Sequence, residues 1–375
     1  MKFSDWRKKR VFALSGSSEQ TILAEISRLK GAASPTLKII SATEGPPDQE
    51  LTIQRLLASV QNLRGTVSVT LPLYYFQTVT LSIPIIPEEA VSKALPYHLA
   101  KNLDKPLQDF IFDWQITRRH ADHLEITAYL FPAEVYRTLR QELARKQLEL
   151  KYLEPDVFAA FAYLEATGRL PEDQTILCSL IWPGSSSHAI YEQGQLKLVR
   201  SVPLSQPEVS FAARGETPAA APPEVSPGGG GEGMGGPTGD ESFLATDDSS
   251  ILDDFALSAV NRVEFAQGVS NLSSENDQHG AFPASGGPLG RAADWPEYIN
   301  SLGLEIIRSR DFYGLILKGS GLSHLFVGGG EEFLTELGEV TKSAMNLEPE
   351  ELLVGQPAPG LHTPLIAICL GTGIR

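Results

Sequence analysis

The sequence predicts an α/β protein long enough for two domains, with an α+β module after its first strands, and three observations predict it. Residues 11–71 read as three strands, a helix and a fourth strand, an opening that suits one lobe of an α/β fold. Residues 71–114 follow a different order: strand, proline-framed turn, amphipathic helix, amphipathic strand. At 375 residues the chain is long enough for two domains of ordinary size, and its composition changes abruptly at residue 206.

In chain order, strands are expected at 11–15, 21–26 and 37–41, a helix at 51–62 and a strand at 66–71. The run 73–83 is rich in Tyr, Phe, Val, Thr and Ile and suits a half-buried ribbon, with its strand at 74–83. Pro84 and Pro87 end that ribbon, and Pro87-Glu88-Glu89 opens a helix with proline and acid in its first turn. Pro96 inside the helix predicts a kink or a split. Phe110, Phe112 and Trp114 alternate with Asp109, Ile111 and Asp113, the period of a strand, and strands are expected at 110–118 and 124–130. A helix over 133–147 aligns Val135, Leu139 and Leu143 on one stripe. Glu154-Pro155-Asp156 leads into a helix over 157–166, capped by Asp156 and packed through Phe158, Phe161 and Leu164. Thr167-Gly168 and Pro171-Glu172-Asp173 mark the crossing into the second lobe. There a hairpin is expected over 176–204, and a helix presenting Tyr298, Leu302 and Ile306 from 295 toward 318. Apolar strands are expected at 325–327 and 365–370.

The net charge of −15 is uneven: residues 206–294 hold 14 acidic and 3 basic side chains, leaving 32 acids against 28 bases elsewhere. Acidity is therefore mostly a property of that stretch, and nothing supports a nucleic-acid partner. Pro222-Pro223 and the glycines of 228–239 cannot bury enough apolar surface to fold, so 206–294 is expected to be a largely disordered insert. Within it Ile251, Phe255 and Ala259 stand at helical spacing and continue to Val263. That island reads either as a docking helix for a partner or as a remnant that folds back. Cys178 and Cys369 lie in apolar, strand-like runs and read as buried reduced thiols, which fits a cytoplasmic protein. The longest uncharged apolar run near the C-terminus, 364–374, falls far short of the roughly 20 residues of a spanning helix. The basic start, residues 1–10, has no apolar core behind it and is not expected to be a signal peptide. Phe3 and Trp6 beside four basic residues read either as a membrane or partner contact or as a frayed terminus.

Five ordered motifs carry a family resemblance: Leu71-Pro72, Ile83-Pro84, Pro87-Glu88-Glu89, Pro106-Leu107-Gln108-Asp109 and Phe112-Asp113-Trp114. Together they resemble the PilM family, the cytoplasmic actin-like platform proteins of type IV pilus assembly, and the related cytoplasmic region of GspL proteins in type II secretion. Gly194-Gln195-Leu196 with Arg200-Ser201-Val202-Pro203-Leu204 resembles the tail of that family's second phosphate-loop hairpin. Leu325-Phe326-Val327-Gly328-Gly329-Gly330 looks like the strand and glycine turn that meets the adenosine in actin-like ATPases, and 365–375 looks like the family's closing strand. The resemblance covers residues 8–204 and 296–375. It implies an actin-like (ribonuclease H-like, duplicated) two-lobed fold with an inserted PilM-type subdomain. The first lobe would be 1–72 plus 153–170, the inserted subdomain 73–152, and the second lobe 171–205 plus 295–375. The insert 206–294 would replace much of the small helical subdomain expected in the second lobe.

The same resemblance exposes two losses. Where the family's first hairpin carries an aspartate this chain has Leu14, although Gly16, Ser17 and Ser18 are kept. Where the second carries one, Ile181 or Trp182 stands ahead of Pro183, Gly184, Ser185 and Ser186. Actin-like ATPases use such carboxylates to hold magnesium and orient the attacking water, and an apolar side chain supplies no oxygen for either. The resemblance thus implies no catalytic residue and no secure magnesium site. ATP could still be held by backbone N–H groups around Gly16 and Gly184, with Gly328, Gly329 and Gly330 beside the adenosine.

The resemblance and these losses together imply an adaptor rather than a motor, peripheral to the inner membrane on its cytoplasmic side. It would bind the short cytoplasmic tail of a single-pass PilN-like protein, communicate with the assembly ATPase and form a ring or other homo-oligomer. The tail would lie in a groove between the first lobe and the inserted module, involving Leu73, Tyr75, Tyr97, Phe110, Phe112 and Trp114. Core packing accounts for those aromatics equally simply. Two other readings stand beside this one: an actin-fold ATPase or small-molecule kinase using Ser17, Ser18 and Ser185 to Ser187, and a soluble GspL-like secretion adaptor. No metal site is expected, since His120, Asp122 and His123 read as a solvated hairpin turn without cysteine partners. Asp109 and Asp113 share a strand face, yet no cleft is indicated around them.

Overall fold

The computed structural model describes residues 10–27, 36–60, 63–170, 173–204, 294–329, 331–353 and 363–374. The insert with its 251–263 island, the basic start before Arg10, and Gly330 lie outside the described residues.

Two five-stranded sheets repeat one topology. In the first, β1 (Arg10–Gly16), β2 (Gln20–Ser27) and β3 (Thr36–Glu44) form an antiparallel meander. Helix α1 (Glu50–Ala58) then crosses to β4 (Gly65–Leu71), which runs parallel to β1, and β8 (Leu148–Pro155) runs parallel to β4. The strand order is β3-β2-β1-β4-β8. In the second sheet β9 (Thr175–Trp182), β10 (Ser185–Glu192) and β11 (Gln195–Pro203) form the meander, and β12 (His324–Gly328) and β13 (Pro349–Glu351) add in parallel, in the order β11-β10-β9-β12-β13. This equivalence of order and direction is a fold duplication. The central strands are buried on both faces, which is why they read as apolar runs rather than alternations.

The third sheet belongs to the inserted module: β5 (Gln77–Pro84), β7 (His123–Pro132) and β6 (Phe110–Arg119), in that order and antiparallel. It packs against α2 (Glu88–Lys101) around Leu81, Ile83, Val91, Leu95, Leu99 and Ile126, a core separate from the continuous one that runs through both lobes. Three details of the module differ from the sequence-based expectation. The ribbon begins with a 3-10 turn, Leu73–Tyr75, because Pro72 sets an extended entry and the strand proper starts only at Gln77. Helix α2 is one 14-residue helix, with Pro96 accommodated inside it rather than splitting it. Asp109 lies in a 3-10 turn ahead of β6, so it does not share a strand face with Asp113.

The chain re-enters the first lobe sooner than residue 153. Helix α3 (Ala133–Arg145) already places Tyr136, Leu139 and Leu143 in the main core, and β8 follows after Gln147 turns through φ +60°. Strand β8 is hard to read because Glu149, Lys151 and Glu154 dilute its apolar residues with types depleted in strands. Helix α4 (Asp156–Ala166) then crosses to the second lobe, where α5 (Trp295–Asp311), capped by Asp294 accepting from Glu297 N at 2.9 Å, continues into a π turn over Phe312–Ile316. Helix α6 (Glu331–Met345) follows β12.

The expected strand at 365–370 is a helix, α7 (Thr363–Ile374). A short run apolar on every side carries no period, so strand and helix look alike in sequence. Helix α7 packs against α4 and β1, with Leu365, Ala367, Ile368 and Cys369 fully buried. A methyl group on Gly371 would sit 1.8 Å from the Ala159 carbonyl oxygen, so the two helices cross in backbone contact that only glycine permits. Cys369 and Cys178 are both free and buried, and burial pushes both thiols up. Among the described residues no helix is long and apolar enough to cross a membrane.

Candidate functional site

The β1–β2 turn closes on itself. Ser17 N donates to Gln20 O at 2.8 Å, and Ser17 Oγ accepts from Glu19 N and Gln20 N at 3.2 Å each. Such hydroxyl-to-backbone bonds make Ser a turn former, and here they engage the hydroxyl within its own hairpin. Gly16 lies under Pro47: a Cβ there would come within 2.8 Å of both Pro47 Cδ and Thr21 Oγ1. Thr21 Oγ1 donates to Gly45 O at 2.7 Å, and Gly45 N donates to Glu19 O at 2.6 Å, which ties that loop across the hairpin. Ser18 is exposed.

The β9–β10 turn is Pro183-Gly184, and Gly184 faces open space, with no atom within 4 Å of a Cβ built on it. The serines that follow point inward. Ser186 Oγ meets His188 Nε2 at 2.8 Å, and the other ring nitrogen meets Ser179 Oγ at 2.6 Å. Burial, and secondarily the charge of Arg200, pushes His188 down to about 3, so the imidazole is neutral. Ser185 Oγ is buried without a hydrogen-bond partner among the described residues.

Between the lobes lies a constellation that the sequence does not reveal. Trp182 Nε1 donates to Asp156 Oδ2 at 2.7 Å, Ser187 Oγ donates to the same oxygen at 2.7 Å, and Val157 N donates to Oδ1 at 2.8 Å. Leu73 N, on the 3-10 turn, donates to Ser187 Oγ at 3.4 Å. Asp156, Trp182 and Ser187 have no exposed surface. Burial pushes the Asp156 carboxyl up to about 7, against the opposing pull of bonds from Ser187, Trp182 and the backbone. Asp156 therefore does not cap α4, since Pro155 occupies the cap position. It latches the first lobe to the second. The turn Leu73–Tyr75 reaches the second hairpin through Leu73 to Ser187.

The glycine turn after β12 rests on the same strand. A Cβ on Gly328 would lie 3.0 Å from Leu180 Cδ2, and one on Gly329 would lie 2.9 Å from Ile181 Cδ1 and Phe333 Cδ2. The structure thus brings Gly328 and Gly329 against β9, next to Trp182. These residues do not fit a magnesium ion. Leu14 and Ile181 are core, the Asp156 carboxylate is occupied by Trp182 and Ser187, and no cluster of three His, Cys, Asp or Glu occurs among the described residues.

No protein-family model matches the chain, and no curated protein sequence matches it. Among solved structures, the PilM–PilN type IV pilus biogenesis complex superposes with a TM-score of 0.58 at 16% identity, over 97% of this chain and 98% of that chain. The chain has the actin-like fold of PilM. Two looser likenesses carry no argument: the cytoplasmic domain of EpsL, an inner-membrane component of the Vibrio cholerae type II secretion system (TM-score 0.35, 12% identity, 52% and 71% covered), and EutJ, an ethanolamine utilization protein from Carboxydothermus hydrogenoformans (0.39, 10%, 97% and 88%).

Within this PilM fold the six aromatic and apolar residues expected to line a partner groove divide three ways. Leu73 is core, and Tyr75 packs onto the same core with its ring 4.4 Å from that of Tyr74. Phe110, Phe112 and Trp114 are half-buried against the module's own core, while Ile111 on the opposite face joins the main core. Only Tyr97 is presented to solvent, 64% exposed on α2, with Lys101 Nζ 4.1 Å from its ring centre. His120 and His123 stack 4.1 Å apart at the solvated β6–β7 turn, where Asp122 accepts from His123.

Proposed function

We propose that this protein is a cytoplasmic adaptor of a type IV pilus or related secretion platform, peripheral to the inner membrane, that binds the short tail of a PilN-like protein and does not hydrolyse ATP. Two things support the reading: the PilM fold over nearly the whole chain, and the chemistry of its cleft. The observation that carries the second part is the 2.7 Å bond from the Trp182 indole to Asp156. It puts a bulky donor at one of the two positions, 181 and 182, where the resemblance expects a metal-binding carboxylate, and it engages the Asp156 carboxyl as a structural group. A hydrolase of this fold must hold the charge that develops on the transferred phosphoryl group, and neither hairpin carries the acid to anchor the ion that does so. Nucleotide is then a ligand at most. The assembly ATPase of such a platform, and a ring of several copies, belong to the same proposal.

The test has two arms. Purified protein with ATP and magnesium should release no phosphate above the buffer rate; steady turnover would overturn the adaptor reading. A labelled peptide matching the cytoplasmic tail of the PilN-like protein from the same genome should bind, and Tyr97→Ala should weaken it about tenfold, on the order of one buried aromatic contact. Absence of binding would remove the partner assignment.

A further inference from the structure

A cavity of about 300 Å³ opens between the inserted module and the second lobe, away from the glycine turns. Its walls carry four cationic side chains, Arg118 and Arg119 of β6, Lys197 of β11 and Lys318 beyond the π turn, against one carboxylate, Glu192. Two of the cations already have partners. Arg119 Nη2 donates to Glu88 at 3.2 Å, and Lys197 Nζ donates to Gln195 Oε1 at 2.9 Å and lies 4.0 Å from Glu192. Arg118 and Lys318 make no hydrogen bond or ion pair among the described residues. Glu125, the strand-register partner of Arg118, turns instead to His120 at 3.4 Å. Glu192 Oε1 accepts from Ser320 N at 3.2 Å and Ser320 Oγ at 2.7 Å, so this oxygen is engaged within the protein.

The backbone is irregular where these two free cations sit. The β6–β7 register shifts between Ile116 and Arg118, a bulge that re-aims the side chain after it. Lys318 follows the π turn and holds φ at +56°, a conformation uncommon for a residue with a Cβ. Irregularities of both kinds concentrate at sites of function. Tyr313 supplies a buried aromatic wall behind them.

We propose that this cavity binds a small phosphate-bearing ligand, with Arg118 and Lys318 as its principal anchors. Its volume is at the low end for small-molecule sites, enough for a pyrophosphate or a nucleoside monophosphate. A guanidinium fork beside an ammonium suits a tetrahedral dianion better than a single carboxylate, because it can meet several oxygens at once. The ligand would join the module to the second lobe, two bodies with separate cores.

The test is calorimetric titration of the full chain at low ionic strength with pyrophosphate and, separately, with adenosine 5′-monophosphate. At least one should bind. Arg118→Gln combined with Lys318→Gln should weaken it tenfold or more, and Arg118→Lys, which keeps the charge but loses the fork, should fall between. Lys93→Gln, an exposed lysine of α2, should bind as the parent does. Binding of neither probe, or equal weakening by Lys93→Gln and the double variant, overturns the proposal. Binding indifferent to Arg118 and Lys318 also overturns it and points to the glycine-lined cleft.

Discussion

The duplicated fold contains the same hairpin twice, and the two copies use the strand before the turn in different ways. In the β1–β2 hairpin Leu14 is buried in the core, while the turn is closed by Ser17 and covered by Pro47. In the β9–β10 hairpin the position beside the turn holds Trp182, which is also buried but donates across the lobes to Asp156. The first residue serves local packing. The second builds a new contact that spans the protein, together with Ser187 from the same hairpin. The difference teaches that one repeated hairpin can supply filler on one side and a latch on the other, and the two can be separated experimentally.

The largest effect should come from the latch. Trp182→Ala removes a fully buried indole and strips Asp156 of a donor, and should lower stability by about 3–5 kcal/mol. Trp182→Phe keeps most of the ring and loses the N–H, at a cost of about 1–3 kcal/mol. Leu14→Ala should cost about 2–5 kcal/mol, through a cavity alone. Chemical denaturation measures all three. The comparison is sharpened by titrating Asp156: Trp182→Phe should move its carboxyl further up, since a bond favouring the charged form is lost, whereas Leu14→Ala should leave it alone. An Asp156 titration equally disturbed by both would mean that the two hairpins are not distinct.

A smaller effect concerns pH, because two buried groups oppose each other. Folded Asp156 keeps its proton up to about pH 7 against an ordinary value of 3.8, so its contribution to stability falls as pH rises through that window. Folded His188 stays neutral down to about pH 3 against an ordinary value of 6.5, so its contribution rises with pH over that interval. The two overlap between 3.8 and 6.5, where the parent's stability should be nearly flat as far as these groups set it. Asp156→Asn should unmask the rising limb, and His188→Gln the falling one. Denaturation midpoints across that range check both, and parallel profiles for the two variants would remove the opposition.

Much of this architecture was legible in the sequence. Apolar alternation and proline punctuation placed β6, β7 and α2, and the strand-helix-strand rhythm placed the first lobe up to Leu71. The glycine turn after β12 was legible from Gly328 and Gly329 behind an apolar strand. Elements without a period were not: α7 is apolar on every side, and β8 is diluted by Glu149, Lys151 and Glu154. The latch was hidden for another reason. Asp156 looks like an ordinary helix-opening acid, and only the fold brings Trp182 and Ser187 to it from 26 and 31 positions away. One signal did exist, since the helix behind Asp156 is apolar almost throughout and leaves its first residue little access to water.

The smallest effect tests the first hairpin directly. Ser17 Oγ accepts from two backbone N–H groups, and Ser17→Ala would leave both without that acceptor in a turn whose other bond, Ser17 N to Gln20 O, is kept by any residue. Ser17 itself has no exposed surface, but Glu19 is exposed and Gln20 half-buried, so water can reach the two N–H groups and the loss should be about 1 kcal/mol, as for one neutral hydrogen bond. Ser187→Ala offers the contrast on the other hairpin: both serines are fully buried, but Ser187 serves a carboxyl that is itself fully buried, so water cannot substitute and the loss should be about twice as large. Equal losses from the two serines, measured by denaturation, would mean that Ser187 is no more than a turn residue and that the latch rests on Trp182 alone.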